Sequence, residues 1–223
     1  MIEELLPPGV EHAEAFGDLA DAWLYPGEES AVDGAGPERR AEFTTARHLA
    51  RRALTRLDVA PAPLPPGPRR VPYWPAGVVG SITHCVGYRA AVVARRTGFI
   101  ALGVDAEPNE PLPVNVLRRI ATASELAQVA ELLTLRPDVR WDRLLFSVKE
   151  SVYKAWYPLT RQWLGWSDTV VILDDVGPAF TARLRVPGPR PERPTFRSFQ
   201  GRWLVRHGLV LTAVTRQASS GPA

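Results

Sequence analysis

Residues 145–156 read LFSVKESVYKAW and carry a clear helical pattern. Their apolar members recur every three or four positions, which predicts a helix with one buried stripe. These members are Leu145, Val148, Val152 and Trp156. Glu150 and Lys154 stand at i and i+4 on a different face of that helix. They form either an ordinary surface pair, worth about 0.5 kcal/mol or less, or a part of a functional site.

Lysine occurs in this stretch alone. Of the 27 basic residues 25 are arginine, and the two lysines are Lys149 and Lys154. An ammonium is a compact point charge with three mobile donors, whereas a guanidinium is a planar fork. The pattern therefore favours a function for these two groups, although two rare residues can also cluster by chance. Lys149 lies at the edge of the apolar stripe, so it must extend to solvent or meet an anion.

A second candidate is the segment GVDAE at residues 103–107. On a strand, Asp105 and Glu107 share one face because alternate side chains point the same way. Two neighbouring carboxylates repel each other unless a cation lies between them, and Mg²⁺ prefers such oxygen ligands. The alternative is a polar face at the end of a strand.

A third candidate is GSITHC at residues 80–85, where hydroxyls and a histidine follow a predicted strand. Such groups can donate hydrogen bonds to a phosphate. A catalytic Ser/His interpretation lacks a third member, and GSITH is not a nucleophile elbow. Alone, the segment is nonspecific.

The charge distribution is uneven behind a net charge of +3. Residues 1–38 hold ten acidic and no basic side chains, whereas residues 39–104 hold eleven arginines against Glu42 and Asp58, a local +9. Such a stretch attracts nucleic acid, anionic lipid or a polyphosphate cofactor, or it is simply a solvated helix face.

Local patterns predict an α+β fold of two similar halves joined near residues 108–113. Helices are expected at 12–24, 37–57, 114–121, 124–133 and 140–156, with Ser124 as an N-cap and Pro158 as a stop. Strands are expected at 78–83, at 89–95 and 99–106 as a hairpin turning at Thr97-Gly98, and at 169–173, 180–185, 202–206 and 209–215. A tight turn is expected at His207-Gly208. The ranges 25–36, 61–75 and 187–194 are expected to be loops, and 216–223 is expected to be disordered.

Several classes of protein are disfavoured. Cys85 is the single cysteine, so an internal disulfide is impossible, and no Cys/His spacing suits zinc. No apolar run approaches the ~20 residues that a membrane helix needs. The acidic first residues do not look like a secretory signal, so we expect a soluble cytoplasmic protein.

Taken in order, the three candidates resemble the 4′-phosphopantetheinyl transferases of the surfactin/enterobactin type, especially their actinobacterial branch. The matching segments are residues 80–84 (GSITH), 103–107 (GVDAE) and 146–155 (FSVKESVYKA). Further matches are Arg39-Arg40-x-Glu42-Phe43 with Arg47-His48, Pro72-x-Trp74-Pro75, 156–160 (WYPLT) and 163–165 (WLG). The resemblance spans about residues 39–168. It implies a pseudo-twofold α+β fold, with residues 1–107 as the N-terminal half and 108–223 as the C-terminal half.

The resemblance also implies an activity. A carrier-protein serine would attack the β-phosphorus of coenzyme A (CoA) and release 3′,5′-ADP. It implies that Asp105, Glu107 and Glu150 bind Mg²⁺, with water completing the shell at Ala106, and that Glu150 takes the serine proton. Lys149 and Lys154 would neutralise the pyrophosphate, so the implied catalytic residues are Glu150, Lys154 and Lys149. The CoA-binding set would be Arg39, Arg47, Arg69, Ser81, Thr83, His84, Asp105, Lys149, Tyr153 and Lys154. Arg69 takes the place of a usual lysine, and Arg70 stands where glycine is usual.

The implied partners are acyl and peptidyl carrier proteins of fatty-acid, polyketide and nonribosomal peptide synthases, which are acidic around their serine. Residues 111–223 hold 16 basic and 9 acidic side chains, a net +7 that suits such a partner. Residues 163–166 (WLGW) would form an apolar docking anchor near Arg161. The family also implies a monomer.

Three other interpretations stay open. A nucleic-acid-binding module would suit the arginines, but no helix-turn-helix, zinc or RNP signature is present. A different Mg²⁺ enzyme, such as a nuclease or phosphohydrolase, would use the same carboxylates. A catalytically silent scaffold would use Glu150 and Lys154 as a plain salt bridge.

Overall fold

The computed structural model describes residues 1–174, 176–185 and 197–218. The chain forms two compact units. The first contains residues 1–102 and the described residues from Arg216 onward, and the second contains residues 103–215. Helices and strands occur in both, which confirms the predicted α+β class.

The first unit is built on helix α1, Pro37–Arg56. Gly36 is its N-cap and Pro37 occupies the first turn, where a missing N–H removes no helical bond. Leu49, Ala50, Ala53 and Leu54 are buried in the core of this unit. The predicted helix over 37–57 is confirmed.

Helix α1 packs on a three-stranded antiparallel sheet of β1 (Val10–Ala15), β2 (Val78–Cys85) and β3 (Tyr88–Arg95). Its strand order is β1-β3-β2. The helix predicted over 12–24 is wrong. Residues 10–15 pair along β3 instead, and this long-range pairing outweighs a weak helical spacing.

The hairpin predicted at Thr97-Gly98 is also wrong, although both of its strands exist. β3 is hydrogen-bonded on both edges, to β1 and to β2. The tight turn that closes a hairpin is Val86-Gly87, between Cys85 and Tyr88, where Gly87 has φ +77°. Strand β4, Phe99–Pro108, is an edge strand of the second sheet.

That second sheet has five strands in the order β4-β8-β7-β6-β5. The remaining strands are β5 (Thr169–Leu173), β6 (Ala179–Leu184), β7 (Ser198–Arg206) and β8 (Leu209–Gln217). The turn at His207-Gly208 is confirmed, with both residues at positive φ. Arg216 and Gln217 belong to β8, so disorder was wrongly predicted for them. The loop expected over 187–194 and residues 219–223 lie outside the described residues.

Three helices precede these strands: α2 (Val114–Ile120), α3 (Ala123–Leu135) and α4 (Trp141–Thr160). The N-cap of α3 is Thr122, not Ser124 as predicted, because Thr122 forms a capping box with Glu125. Pro158 does not stop α4, which ends at Thr160 before left-handed Arg161. A proline so near the end removes a single backbone bond. No helix in the described ranges is long and apolar enough to span a membrane.

Candidate active site

The end of strand β4 brings Asp105 to helix α4. Asp105 is buried, and its Oδ1 accepts a hydrogen bond from the Nζ of Lys154 at 2.7 Å. Lys154 also donates to the carbonyl of Val104 at 3.1 Å. The close approach of strand and helix depends on Gly103, because a Cβ there would lie 2.0 Å from the carbonyl oxygen of Ser151.

Glu107 is held by Arg143, a residue of α4. The Nη1 of Arg143 lies 3.0 Å from the Oε2 of Glu107, and the same guanidinium donates to the carbonyls of Glu110 and Pro111. Burial, and then the charge of Asp105, raise the pKa of Glu107 to about 7, while Arg143 and Lys154 lower it. A neighbouring negative charge disfavours the ionised form of Glu107, whereas the guanidinium of Arg143 favours it.

Glu150 belongs to the same electrostatic group. Burial raises its pKa, the charge of Asp105 raises it further, and Lys154 opposes both. Lys154 thus pairs with Asp105 and lowers the pKa values of Glu107 and Glu150, which the negative charge of Asp105 raises.

This donor set fits a hard divalent cation, because carboxylate oxygens are its preferred ligands and a cation would relieve their repulsion. Within residues 1–174, 176–185 and 197–218, however, no three His, Cys, Asp or Glu side chains are grouped closely enough to hold a metal ion. Lys154 and Arg143 provide the compensating charge instead. That Asp105, Glu107 and Glu150 bind one metal ion stays a prediction.

Lys149 lies in the interior, which differs from the position that direct contact with a pyrophosphate would suggest. Its side chain is 2% exposed and forms an ion pair with Glu125 at 3.0 Å. It also donates to the backbone carbonyls of Ile120, Trp166 and Thr169. Burial lowers the pKa of this ammonium, and Glu125 opposes that shift.

A cleft opens beside α4 and is mainly apolar. It is lined by Lys149, Glu150, Tyr153, Trp163, Leu164, Gly165, Trp166 and Thr169. The rings of Tyr153 and Trp163 meet edge to face, with centroids 5.3 Å apart. Within the 163–166 segment, Trp163 is 59% exposed while Leu164 is buried. The expected apolar anchor is therefore presented mainly by Trp163.

In the first unit, the structure brings Arg39 and His84 together. The Nη1 of Arg39 lies 2.8 Å from the Nε2 of His84, and Glu42 lies near both side chains. Ser81 and Thr83 are buried on strand β2, which also carries His84. Arg69 lies in an exposed turn with left-handed backbone, φ 55°.

The polar face of α1 is only in part solvated, so the interpretation of the arginine-rich stretch as simply a solvated helix face does not hold for all of its arginines. Arg47 is buried, donates from Nε to the carbonyl of Leu64 at 2.9 Å, and lies over the ring of Phe43. Burial is the largest cause that lowers its pKa to about 10. Arg51 is also buried, in an ion pair with Glu28 at 2.8 Å.

Sequence reasoning missed three residues of these networks: Arg143, Glu125 and Glu28. Arg143 precedes Glu150 by seven positions, a helical spacing that places both on one face of α4. Glu125 follows Thr122 by three positions, which is the signature of a capping box. Glu28 lies in a segment without periodicity, so no local signal pointed to it.

Comparisons with known proteins give a consistent result. A family model described as the 4′-phosphopantetheinyl transferase N-terminal domain matches residues 27–94. A second model, described as the 4′-phosphopantetheinyl transferase superfamily, matches residues 101–208.

Three actinobacterial relatives match nearly whole chains. The chain is 49% identical to the 4′-phosphopantetheinyl transferase Svp of Streptomyces mobaraensis, over 100% of this chain and 92% of that protein. It is 43% identical to PptT of Mycobacterium tuberculosis, over 91% of this chain and 94% of the relative. It is 42% identical to Npt of Nocardia iowensis, over 96% and 99% respectively.

Proposed function

Because the chain belongs to the 4′-phosphopantetheinyl transferase family, we propose that it moves the phosphopantetheine arm of CoA to a serine of an acyl or peptidyl carrier protein. The acceptor serine Oγ forms a bond to the β-phosphorus of CoA. The bond from that phosphorus to the bridging oxygen breaks, and 3′,5′-ADP leaves with the bond's electron pair. The serine proton passes to a base of the enzyme.

The observation that carries this proposal is the ion pair of Lys154 with Asp105, whose charge also raises the pKa values of Glu107 and Glu150. Glu150 is the proposed base, since its raised pKa brings it closer to neutral pH, where a general base works best. Asp105, Glu107 and Glu150 would hold Mg²⁺, which would supply neutralisation of the phosphate charge. Lys154 would then donate to a phosphate oxygen, because its side chain is 27% exposed.

The first unit is proposed to recognise the nucleotide part of CoA. Arg39 and His84 form a contact pair with basic and polar character that suits the 3′-phosphate. The other proposed CoA-binding residues within 1–107 are Ser81, Thr83, Arg47 and Arg69. Tyr153, which lines the cleft beside α4, is a further proposed CoA contact.

The carrier protein is proposed to dock on residues 108–223, where the exposed indole of Trp163 offers an apolar anchor and the net charge is positive. The natural partners would be carriers of fatty-acid, polyketide or nonribosomal peptide synthases, with the enzyme acting as a cytoplasmic monomer. Reversing the charge of Arg161 should weaken the apparent affinity for an acidic carrier. An unchanged affinity would contradict this docking site.

The decisive experiment is the intact mass of an apo carrier protein after incubation with the enzyme, CoA and Mg²⁺. We expect a gain of about 340 Da, the mass of the arm, and its loss with EDTA. Glu150→Gln should lower the rate by about 10²–10³-fold, because it removes a base and a metal ligand together. Glu110→Gln, at an exposed position, is the matched control.

A gain of mass that survives EDTA and Glu150→Gln would contradict the proposed mechanism. Absence of both a mass gain and CoA binding, across several acyl and peptidyl carriers, would contradict the proposed function itself.

A further inference from the structure

The two lysines of the chain lie five positions apart on α4 but in different surroundings. The side chain of Lys154 is 27% exposed and that of Lys149 is 2% exposed. An ammonium has three protons. The Nζ of Lys149 has four acceptors within 3.1 Å: three backbone carbonyls and the Oε2 of Glu125. Its donor capacity is therefore used inside the protein.

Both carboxylate oxygens of Glu125 also accept hydrogen bonds inside the protein. Its Oε2 accepts the backbone N–H of Thr122 at 2.7 Å, and its Oε1 accepts the backbone N–H of Val171 at 2.8 Å. The Lys149–Glu125 pair consequently joins the end of α2, the start of α3, the 3₁₀ turn at Trp166, strand β5 and helix α4. Replacement of such a pair by apolar residues is often neutral for stability, so its presence favours a role in orientation.

The partners of Lys149 indicate what is oriented. Trp166 and Thr169, whose carbonyls accept hydrogen bonds from Lys149, form part of the wall of the cleft that Glu150 and Tyr153 also line. Lys149 directly precedes Glu150 on the helix. A shift of the wall or of this turn of α4 would displace Glu150 relative to anything bound in the cleft.

We propose that Lys149 and Glu125 are positioning residues: the buried pair fixes the backbone at Trp166 and Thr169 against α4, and so holds Glu150 in place without touching CoA. The inference rests on the proposed function, in which Glu150 is the base. It assigns to Lys154 alone, of the two lysines, the contact with phosphate.

The presence of only two lysines permits a direct test by NMR on isotope-labelled lysine in the full chain. Lys154→Arg and Glu125→Gln assign the two ammonium signals. We expect added CoA to shift the signal of Lys154 and to leave that of Lys149 in place. A shift of the Lys149 signal as large as that of Lys154 would overturn the positioning role and leave the proposed function intact.

Kinetics give the second measurement, at a temperature where each variant is folded by circular dichroism. Glu125→Gln should lower kcat at least about tenfold with the KM for CoA within about twofold, because an interaction that acts on the chemical step is lost. Glu131→Gln, an exposed position on the same helix, should keep both values. A fully folded Glu125→Gln enzyme with normal kcat would show a merely structural pair and overturn the proposal.

If the proposed function itself is wrong, the two measurements give a different result. CoA would then shift neither lysine signal, and no carrier would gain mass with the unaltered enzyme.

Discussion

Helix α1 in the first unit and helix α4 in the second are each 20 residues long, and each carries buried basic side chains. The two helices differ in whether a basic side chain that pairs with a buried carboxylate stays accessible. On α1, Arg47 and Arg51 are both buried and bind irregular segments, through Leu64 and Glu28. On α4, Lys149 is buried in the same manner while Lys154 stays accessible beside Asp105. The comparison teaches that a basic residue on a helix does not by itself mark a binding site, because its side chain can be paired with groups in the interior of the protein.

The largest expected effect tests whether the buried basic side chains of α1 stabilise the fold. Arg51→Met leaves the carboxylate of Glu28 buried and unpaired, so we expect the free energy of unfolding to fall by about 3–5 kcal/mol. Arg52→Met, at the exposed neighbouring position, should change it by less than about 0.5 kcal/mol. Urea titration measures both, and equal small changes would show that burial of Arg51 is energetically unimportant.

The next effect concerns the contact between β4 and α4. An alanine Cβ at Gly103 would lie 2.0 Å from the carbonyl oxygen of Ser151 and 2.8 Å from the amide nitrogen of Ala155. Because these are backbone atoms, Gly103→Ala must displace the strand, at a cost of about 1–3 kcal/mol in the free energy of unfolding. Asp105 would move with it, so transfer activity should fall too.

Gly98→Ala is the control for that substitution. A Cβ added at Gly98 would lie 3.8 Å from the carbonyl oxygen of Arg95, which is an ordinary contact distance. If both variants unfold at the same denaturant concentration as the parent, the close approach at Gly103 does not matter for stability.

Substitution of the accessible Arg39 should have a smaller effect, confined to the binding of CoA. Arg39→Ala should raise the KM for CoA about tenfold, because a charge-assisted hydrogen bond to phosphate is lost. With 3′-dephospho-CoA as substrate the same variant should behave like the parent enzyme. Arg52→Ala should change neither value, and an equal effect of Arg39→Ala on both substrates would place the guanidinium away from the 3′-phosphate.

The smallest effect is a pH dependence at Glu107. Its pKa in the folded protein is about 7, above the ordinary 4.5, so the folded state holds the proton more tightly than the unfolded state. Stability is then fully present below about pH 4.5 and declines as the pH rises through 7. Solvent reaches a fifth of this side chain and screens the effect.

Thermal unfolding in metal-free buffer from about pH 5 to pH 8 checks this. The midpoint of Glu107→Gln should decline less than that of the parent, and Mg²⁺ should restore the parent most at the higher pH. Parallel curves for the two proteins would assign the pH dependence to other groups.

Local signals predicted those parts of the fold whose cause is local. The apolar spacing of α4, the proline that opens α1 and the turn at His207-Gly208 each act within a few residues, so sequence alone identified them. Strand β1 forms because β3 offers it a partner more than 70 residues later in the chain, as in the pairing of Val10 with Ala94. No pattern within residues 12–24 contains that information.

The same distinction applies to the candidate site. Asp105, Glu107, Glu150 and Lys154 are predicted from sequence because each stands in a short pattern with chemical meaning, and their roles stay predictions. The ion pairs Glu107–Arg143 and Lys149–Glu125 join residues 36 and 24 positions apart, so only the folded chain brings them together. The burial of Arg47 could not be seen from an arginine-rich helix face, because it depends on the segment around Leu64.

The unequal exposure of the two lysines also bears on how the protein can be handled. Reagents that acylate amines, and surfaces activated for amine coupling, reach a side-chain amine at Lys154, while the Nζ of Lys149 is enclosed. Attachment by this chemistry would tether the protein through the very group proposed to bind phosphate. Arginine-directed reagents meet the same difficulty at Arg39, whose accessible side chain is proposed to bind the 3′-phosphate. Immobilised binding assays therefore need an attachment point that spares both groups.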